Sequence, residues 1–388
     1  MAEFSGPFSA ESVEDRGAFF VLLSAVQRDV DRALATWLKP RVAAAAQIGD
    51  DVLAAAEAVE HLALRGGKRM RAALIAAAYA SCQKGASSHV DDDNTRWAGA
   101  LLAMVAIELL QVYLLIHDDW MDDDEVRRGG PAVHVVLRNR LGTKRLGDVA
   151  AILAGDLACG YAQAALLETT LPAEHVLRAA RAFAQIQQDV VKGQIAEMHS
   201  ARRSCTPSTS PCTSVDATAL PSVETIHSLK TASYTVTGPL VVGALLAGAN
   251  DARVAELERF GRPLGIAFQL RDDLLGVFGN PALTGKPIWN DLRQGKRTAL
   301  VDELRDDAAA QIELARVLGN ANAQHGEIEA LVHTMEASGA RARVEARLQE
   351  LLGEARRALG AMSFSWGTGD MARAWLSGAT FALGERST

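Results

Sequence analysis

Residues 98–130 read AGALLAMVAIELLQVYLLIHDDWMDDDEVRRGG, an apolar stretch that runs straight into a cluster of acids and then two arginines. Ala98 to Ile116 approaches the length of a membrane span. Glu108 and Gln111 interrupt it at mid-span, and His117-Asp118-Asp119 follow at its end. Polar groups in those places cost too much in lipid and argue for a helix buried in protein. A helix that is apolar on every side must be surrounded by others. The stretch therefore reads as a buried helix, one of many in a chain expected to be all-α.

The rest of the sequence agrees. Apolar positions recur at three-four spacing over 19–38, with a helix stop expected at Lys39-Pro40. Helical patterns follow over 42–64, from near Lys68, and over 95–124, 146–170, 173–200, 223–247, 251–278, 297–318 and 325–360. No run of alternating strands and no repeat of fixed period is evident. Apolar residues make up 49% of the 388, enough for a large core, while aromatics are only 5%. That balance suits close-packed helices better than a sandwich of strands. Arg202 to Ser222, rich in Ser, Thr, Pro and Cys, reads as a loop between helices and not as a domain linker, so a single domain over 1–388 is expected. The net charge of −7 disfavours binding nucleic acid through the overall field. Cys82 and Cys159 read as small core residues, and Cys205 and Cys212 form no zinc pattern. The N-terminal segment has no apolar region after a basic start, so the cytoplasm is the default.

The acidic cluster carries chemistry. On a helix, Asp118 and Asp122 face the same way, and so do Asp119 and Asp123. Like charges at that spacing need a cation, and magnesium binds through one or two carboxylates together with substrate phosphates. Arg127 and Arg128 follow, and arginine forks match phosphate oxygens. The plainer alternative is a solvated acidic helix end with basic neighbours. An EF-hand is excluded by spacing. A second pair, Asp272 and Asp273, lies inside the apolar helix FQLRDDLLGVF. Paired acids there are costly unless they bind something, and facing helices can build a metal site in a bundle core. Gly66-Gly67-Lys68-Arg69-Met70-Arg71 places Lys68 and Arg71 at a helix start that favours an anion. Lys230-Thr231 opens KTASYTVTGPL, and Lys286 and Lys296 flank Asp291 in GKPIWNDLRQGKRT. Taken singly, each of these lysines also reads as an ordinary surface residue. GNPALTGKP is not a P-loop, since its glycine spacing is wrong.

Five blocks in order resemble the trans-isoprenyl diphosphate synthases, or polyprenyl synthetases: GGKRMR, HDDWMDDDEVRRGGP, GQIAEM, KTASYTVTGPL, and FQLRDDLLGVFG with GKPIWNDLRQGKRT. The resemblance spans roughly 60–300. It implies a helical fold around a deep central cavity, usually dimeric, that joins an allylic diphosphate to isopentenyl diphosphate. It also implies roles. Asp118 and Asp122 would hold two magnesium ions and Asp272 a third. Arg127, Lys230 and Lys286 would contact the allylic diphosphate. Lys68, Arg71 and Arg128 would bind isopentenyl diphosphate with Gln111, and Gly67 and Lys296 count among the substrate-binding residues. Thr231 and Gln269 would face the developing cation. Magnesium and cationic side chains would stabilise the leaving diphosphate, and an apolar cavity would keep water from the cation.

Two positions depart from the family pattern. Gly276 stands where many members carry the last aspartate of the second motif, which leaves Asp273 without an assigned role. Glu197 replaces aspartate in the GQxxD block. Two rivals are weaker. A class I terpene cyclase would need an Asn/Asp–Ser/Thr–Glu motif, whereas NDLRQGKRT has Gln294 and Thr298 at those places. A non-catalytic partner subunit would tend to have lost the aspartates. For product length, Tyr113 lies five residues before Asp118, about 7.5 Å deeper at 1.5 Å per residue. It is either a packed core tyrosine or the floor that stops the growing chain. Leu114 beside it is smaller, and DDWMD carries no insertion. In the resembling family that combination favours geranylgeranyl over farnesyl diphosphate.

Overall fold

The computed structural model describes residues 10–83, 97–204, 221–280, 288–364 and 369–384. In chain order its helices are α1 (Ala10–Ala46), α2 (Asp50–Leu64), α3 (Met70–Cys82), α4 (Leu101–Met121), α5 (Val133–Leu141), α6 (Lys144–Leu167), α7 (Ala173–Ser204), α8 (Val223–His227), a π-helix over Ser228–Thr237, α9 (Gly238–Leu246), α10 (Asp251–Phe278), α11 (Asn290–Arg293), α12 (Ala299–Asp302), α13 (Ala308–Val317), α14 (His325–Ala337), α15 (Ala340–Gly360) and α16 (Gly369–Gly384). The strands among the described residues are Val126–Arg127 (β1) and Gly130–Pro131 (β2), paired antiparallel. The chain is all-α, as its sequence predicts. Of the loop expected over 202–222, residues 202–204 belong to α7, which continues to Ser204; residues 205–220, with Cys205 and Cys212, lie outside the described part.

Two compact units divide the chain. The first comprises 1–183, 239–254 and 363–378, and the second 184–238, 255–362 and 379–388. In the first, α4 is the central element. From Ala103 to Tyr113 every residue is buried, and α1, α2, α3, α5 and α6 all pack on it. Each fully buried leucine there contributes about 1.5–3 kcal/mol. Two helices, Ala98–Met121 and Lys144–Leu167, are long and apolar enough to cross a membrane, and 67% of the apolar window in the former is buried inside the protein. Alanines supply much of the facing surface: Ala151, Ala154, Ala158 and Ala162 on α6 are all fully buried.

Sequence reading misplaced several breaks. α1 passes through Pro40 and ends at Ala46. Proline removes the N–H that would reach the Thr36 carbonyl, and the helix continues past that single lost bond. The helix expected over 223–247 is three pieces, with a ten-residue π-helix between α8 and α9. The one expected over 297–318 is interrupted between Asp302 and Ala308, and 325–360 is divided at Gly339, whose φ is +77°.

Candidate active site

In the first unit the acids sit where α4 stops. Asp118 and Asp119 are on its last turn, Asp122 caps it, and the Asp122 N–H donates to the Asp118 carbonyl at 2.8 Å. Asp118 and Asp122 thus share a helical face, and both are half-buried. Asp119 and Asp123 do not form the second like-charged pair expected from helical spacing. The chain leaves the helix, Asp123 takes a positive φ of 54°, and its carboxylate lies 3.5 Å from Arg138. Asp119 is fully buried and accepts from Arg127 Nε at 2.6 Å. Burial pushes its carboxyl up to about 6 against the opposing pull of Arg127. Asp119 is therefore the anchor of Arg127.

Arg127 and Arg128 lie on a hairpin, not on a helix. Arg128 and Gly129 take φ of 51° and 71° between β1 and β2. Two positive φ values are what a type I′ turn needs. The turn brings Arg128 back to the Gly66–Arg71 segment, where its Nη1 donates to the Gly66 carbonyl at 2.7 Å. Gly67, at φ +143°, lets the backbone pass beneath that guanidinium: a Cβ there would meet Arg128 Cζ at 3.4 Å. Burial, with the like charges of Arg69, Arg71 and Arg127, pulls Arg128 below the ordinary guanidinium range, against the opposing effect of Glu108. Within the cluster Arg69 is ion-paired with Asp31 and Glu108, and Arg127 with Asp119 and Asp124.

Arg69 is the residue of this segment that sequence reasoning missed. It is 2% exposed and donates to Asp31 at 2.9 Å, to Glu108 at 2.8 Å and to the Ala63 carbonyl at 2.7 Å. Glu108, the acid inside an apolar helix, implied some buried cation, but spacing could not say which. Lys68 is exposed and Arg71 half-buried at the start of α3. Gln111 is 6% exposed, and its side-chain oxygen has no hydrogen-bond partner among the described residues. Tyr113 is buried, and its ring meets His117 edge-on at 4.9 Å; Leu114 beside it is half-buried.

In the second unit the π-helix carries Lys230 and Thr231. Gly193 of the GQIAEM block lets it approach α7, since a Cβ there would lie 2.5 Å from the Lys230 backbone nitrogen. Lys230 is ion-paired with Glu197, so the acid that replaces aspartate in that block keeps a cationic partner. Thr231 donates to Gln269 Oε1 at 2.7 Å, and Gln269 Nε2 donates to Asp273 Oδ1 at 2.8 Å. Asp272 is half-buried, whereas Asp273 is 3% exposed, its carboxyl raised above the usual range by burial. Beside Gly276 stands another acid: a Cβ there would lie 3.4 Å from Asp291 Oδ2. The Lys296 ammonium is 3.4 Å from Asp291 Oδ1. Lys286 lies outside the described residues.

Hard carboxylate oxygens at Asp118, Asp122 and Asp272 suit magnesium and offer nothing to a soft metal. Among the described residues no three His, Cys, Asp or Glu side chains converge into a metal cage.

A helical chain with these acids and arginines is a member of a known class: it belongs to the polyprenyl synthetase family, whose model matches residues 43–335. It is 34% identical over 286 residues to a geranylgeranyl diphosphate synthase of Sulfolobus acidocaldarius, covering 72% of this chain and 76% of that one. It is 35% identical over 288 residues to a (2E,6E)-farnesyl diphosphate synthase of Mycobacterium tuberculosis, covering 72% and 70%. Among solved structures it is similar to a geranylgeranyl pyrophosphate synthase of Corynebacterium glutamicum complexed with isoprenyl diphosphate and magnesium. That likeness has a TM-score of 0.80 at 30% identity, covering 94% of this chain and 99% of that one.

Proposed function

We propose that this chain is a trans-prenyltransferase that condenses an allylic diphosphate head-to-tail with isopentenyl diphosphate, and that its product is geranylgeranyl diphosphate. The observation that carries the reading is the hairpin. It returns Arg128 onto the Gly66–Arg71 segment, so that Arg69, Arg71, Arg127 and Arg128 gather in the unit that bears Asp118 and Asp122. Lys68, Arg71, Gln111 and Arg128, with the open backbone at Gly67, bind isopentenyl diphosphate. Arg127, Lys230, Lys286 and Lys296 serve the allylic diphosphate and its surroundings.

Asp118, Asp122 and Asp272 hold magnesium, three ions per site, only when the diphosphate is present. Magnesium, when bound, supplies charge that stabilises the leaving diphosphate. The allylic carbon–oxygen bond breaks, and the electron pair leaves with the diphosphate toward Arg127 and Lys230, which neutralise its growing charge. Oxygens of Thr231 and Gln269 face the allylic cation. The double bond of isopentenyl diphosphate attacks that cation, a new carbon–carbon bond forms, and the adjacent proton passes to the departed diphosphate.

Tyr113 is the floor of the chain-length pocket, with Leu114 beside it. The whole chain acts as one prenyl synthase domain in the cytoplasm and pairs as a homodimer, to which the exposed apolar residues Leu146, Val149, Leu153 and Leu167 of α6 contribute.

The test is turnover of the purified chain with isopentenyl diphosphate and primers of increasing length. Asp118→Ala should lower kcat by several orders of magnitude with helix content retained by circular dichroism. Near-normal activity in that variant, or full activity in EDTA, refutes the assignment. Cyclic hydrocarbon products would indicate a cyclase instead, and silence of the chain by itself a partner subunit.

A further inference from the structure

The aspartate pair of the second motif is unequal in its surroundings, and the geometry gives Asp273 work of its own. Its carboxylate is enclosed, and both oxygens are engaged. Oδ1 accepts from Gln269 Nε2 at 2.8 Å, and Oδ2 accepts from the Ala299 N–H at 3.2 Å. His227 Nε2 stands 3.4 Å from Oδ2, itself buried. Four residues earlier, on the same face of α10, the other end of the Gln269 amide accepts from Thr231 Oγ1 at 2.7 Å.

A primary amide has one donor end and one acceptor end, so fixing one end fixes the other. The Ala299 backbone N–H cannot change its role. It makes Oδ2 an acceptor, and an ionised carboxylate has no hydrogen to give, so Oδ1 is an acceptor as well. The amide nitrogen of Gln269 must therefore face Asp273, and its oxygen must face Thr231. Thr231 must then give its hydroxyl hydrogen to Gln269. What remains on the outer side of the Thr231 oxygen is lone-pair density, with the positive end of its O–H dipole turned inward. Were the amide rotated by half a turn, Thr231 would accept from it and point its hydrogen outward.

We propose that Asp273, backed by His227, is a positioning residue that sets the direction of the hydrogen-bond chain Thr231–Gln269–Asp273, so that oxygen and not hydrogen is presented to the carbocation formed in prenyl transfer. The inference rests on the reading above in which Thr231 and Gln269 face that cation. A dipole fixed before charge develops costs no reorganisation when it does. Asp273 thereby differs in kind from Asp272, and it makes no call on a metal ion.

Asp273→Asn tests this. The new amide still offers an oxygen to the Ala299 N–H, and its NH2 invites Gln269 to rotate. kcat should fall roughly 100-fold, the lower end of the range for losing one preorganised catalytic dipole. KM for both diphosphates should hold within about threefold, and the magnesium concentration for half-maximal rate should not move. Gln269→Ala and the double variant complete the cycle. If Asp273 acts through Gln269, Asp273→Asn causes no further loss on the Gln269→Ala background. Additive losses would overturn the inference and leave the cation-facing reading intact, and a raised magnesium requirement would overturn it as well by making Asp273 a ligand. If Gln269→Ala alone keeps full kcat, the cation-facing reading fails and the inference falls with it. Thermal melts of all variants separate these outcomes from simple unfolding.

Discussion

Single positions in this chain divide acids of identical chemistry into different tasks. Asp118 and Asp119 are adjacent, yet one is half-buried and the other fully enclosed against Arg127. The Asp119 carboxyl is raised from 3.8 to about 6, so the folded state binds its proton more tightly than the unfolded chain does. Stability from this group is therefore greatest below pH 3.8 and declines as pH rises to about 6. Asp119→Asn abolishes that dependence. The difference in unfolding free energy between the two proteins should drift by on the order of 2 kcal/mol across this window, wild type losing ground as pH increases. Urea titrations at several pH values measure it, and a flat difference would mean that Asp119 is ordinary. Tyr113 makes the second prediction at this scale. Tyr113→Ala should shift the product from twenty carbons to twenty-five or more, read by chromatography of the dephosphorylated prenols. An unchanged product makes the ring a packed core tyrosine, and a wild-type product fixed at fifteen carbons rejects the length assignment.

Among elements, the π-helix departs furthest from what the sequence announces. KTASYTVTGPL has ordinary helical periodicity, and nothing in its composition marks the wider turn over Ser228–Thr237. The signal lay elsewhere, in glycines remote in sequence. Gly193 has the Lys230 backbone against it, and a Cβ at Gly265 would lie 2.5 Å from the Ala232 Cβ. Gly193→Ala should push the π-helix off α7. A loss of about 1–3 kcal/mol is expected, with a larger fall in kcat than the melt accounts for, because Lys230 and Thr231 move together. Activity retained at wild-type level would show that the neighbours yield without cost. The same limit explains the hairpin. The helix expected over 95–124 left the residues after it unassigned, and Arg128-Gly129 takes positive φ at both positions, of which only Gly129 advertises it. The buried partner of Glu108 was likewise implied without being identifiable, since ion pairing across 39 positions leaves no spacing to read. By contrast α4, the two aspartate pairs and the order of the five blocks were legible, because each depends on local periodicity or on neighbours within one turn.

At the scale of the molecule, a family match over 43–335 and a TM-score of 0.80 to a solved synthase fix the class of chemistry. The homodimer is a separate proposal with its own test. Leu153 is 59% exposed on α6, on a face with Leu146 and Val149. Leu153→Asp should turn the dimer into monomers in sedimentation velocity while the helical signal stays. A monomeric wild type would remove the proposal. α6 also matters for another reason. It covers much of α4, and it follows α4 in the chain. During synthesis at roughly 5–20 residues per second, several seconds pass between the emergence of Met121 and that of Leu167. For that interval a helix long and apolar enough to cross a membrane is outside the ribosome without its main cover. The yield of soluble enzyme should therefore respond to translation speed through 122–167 and to chaperone supply more than to the stability of the finished fold.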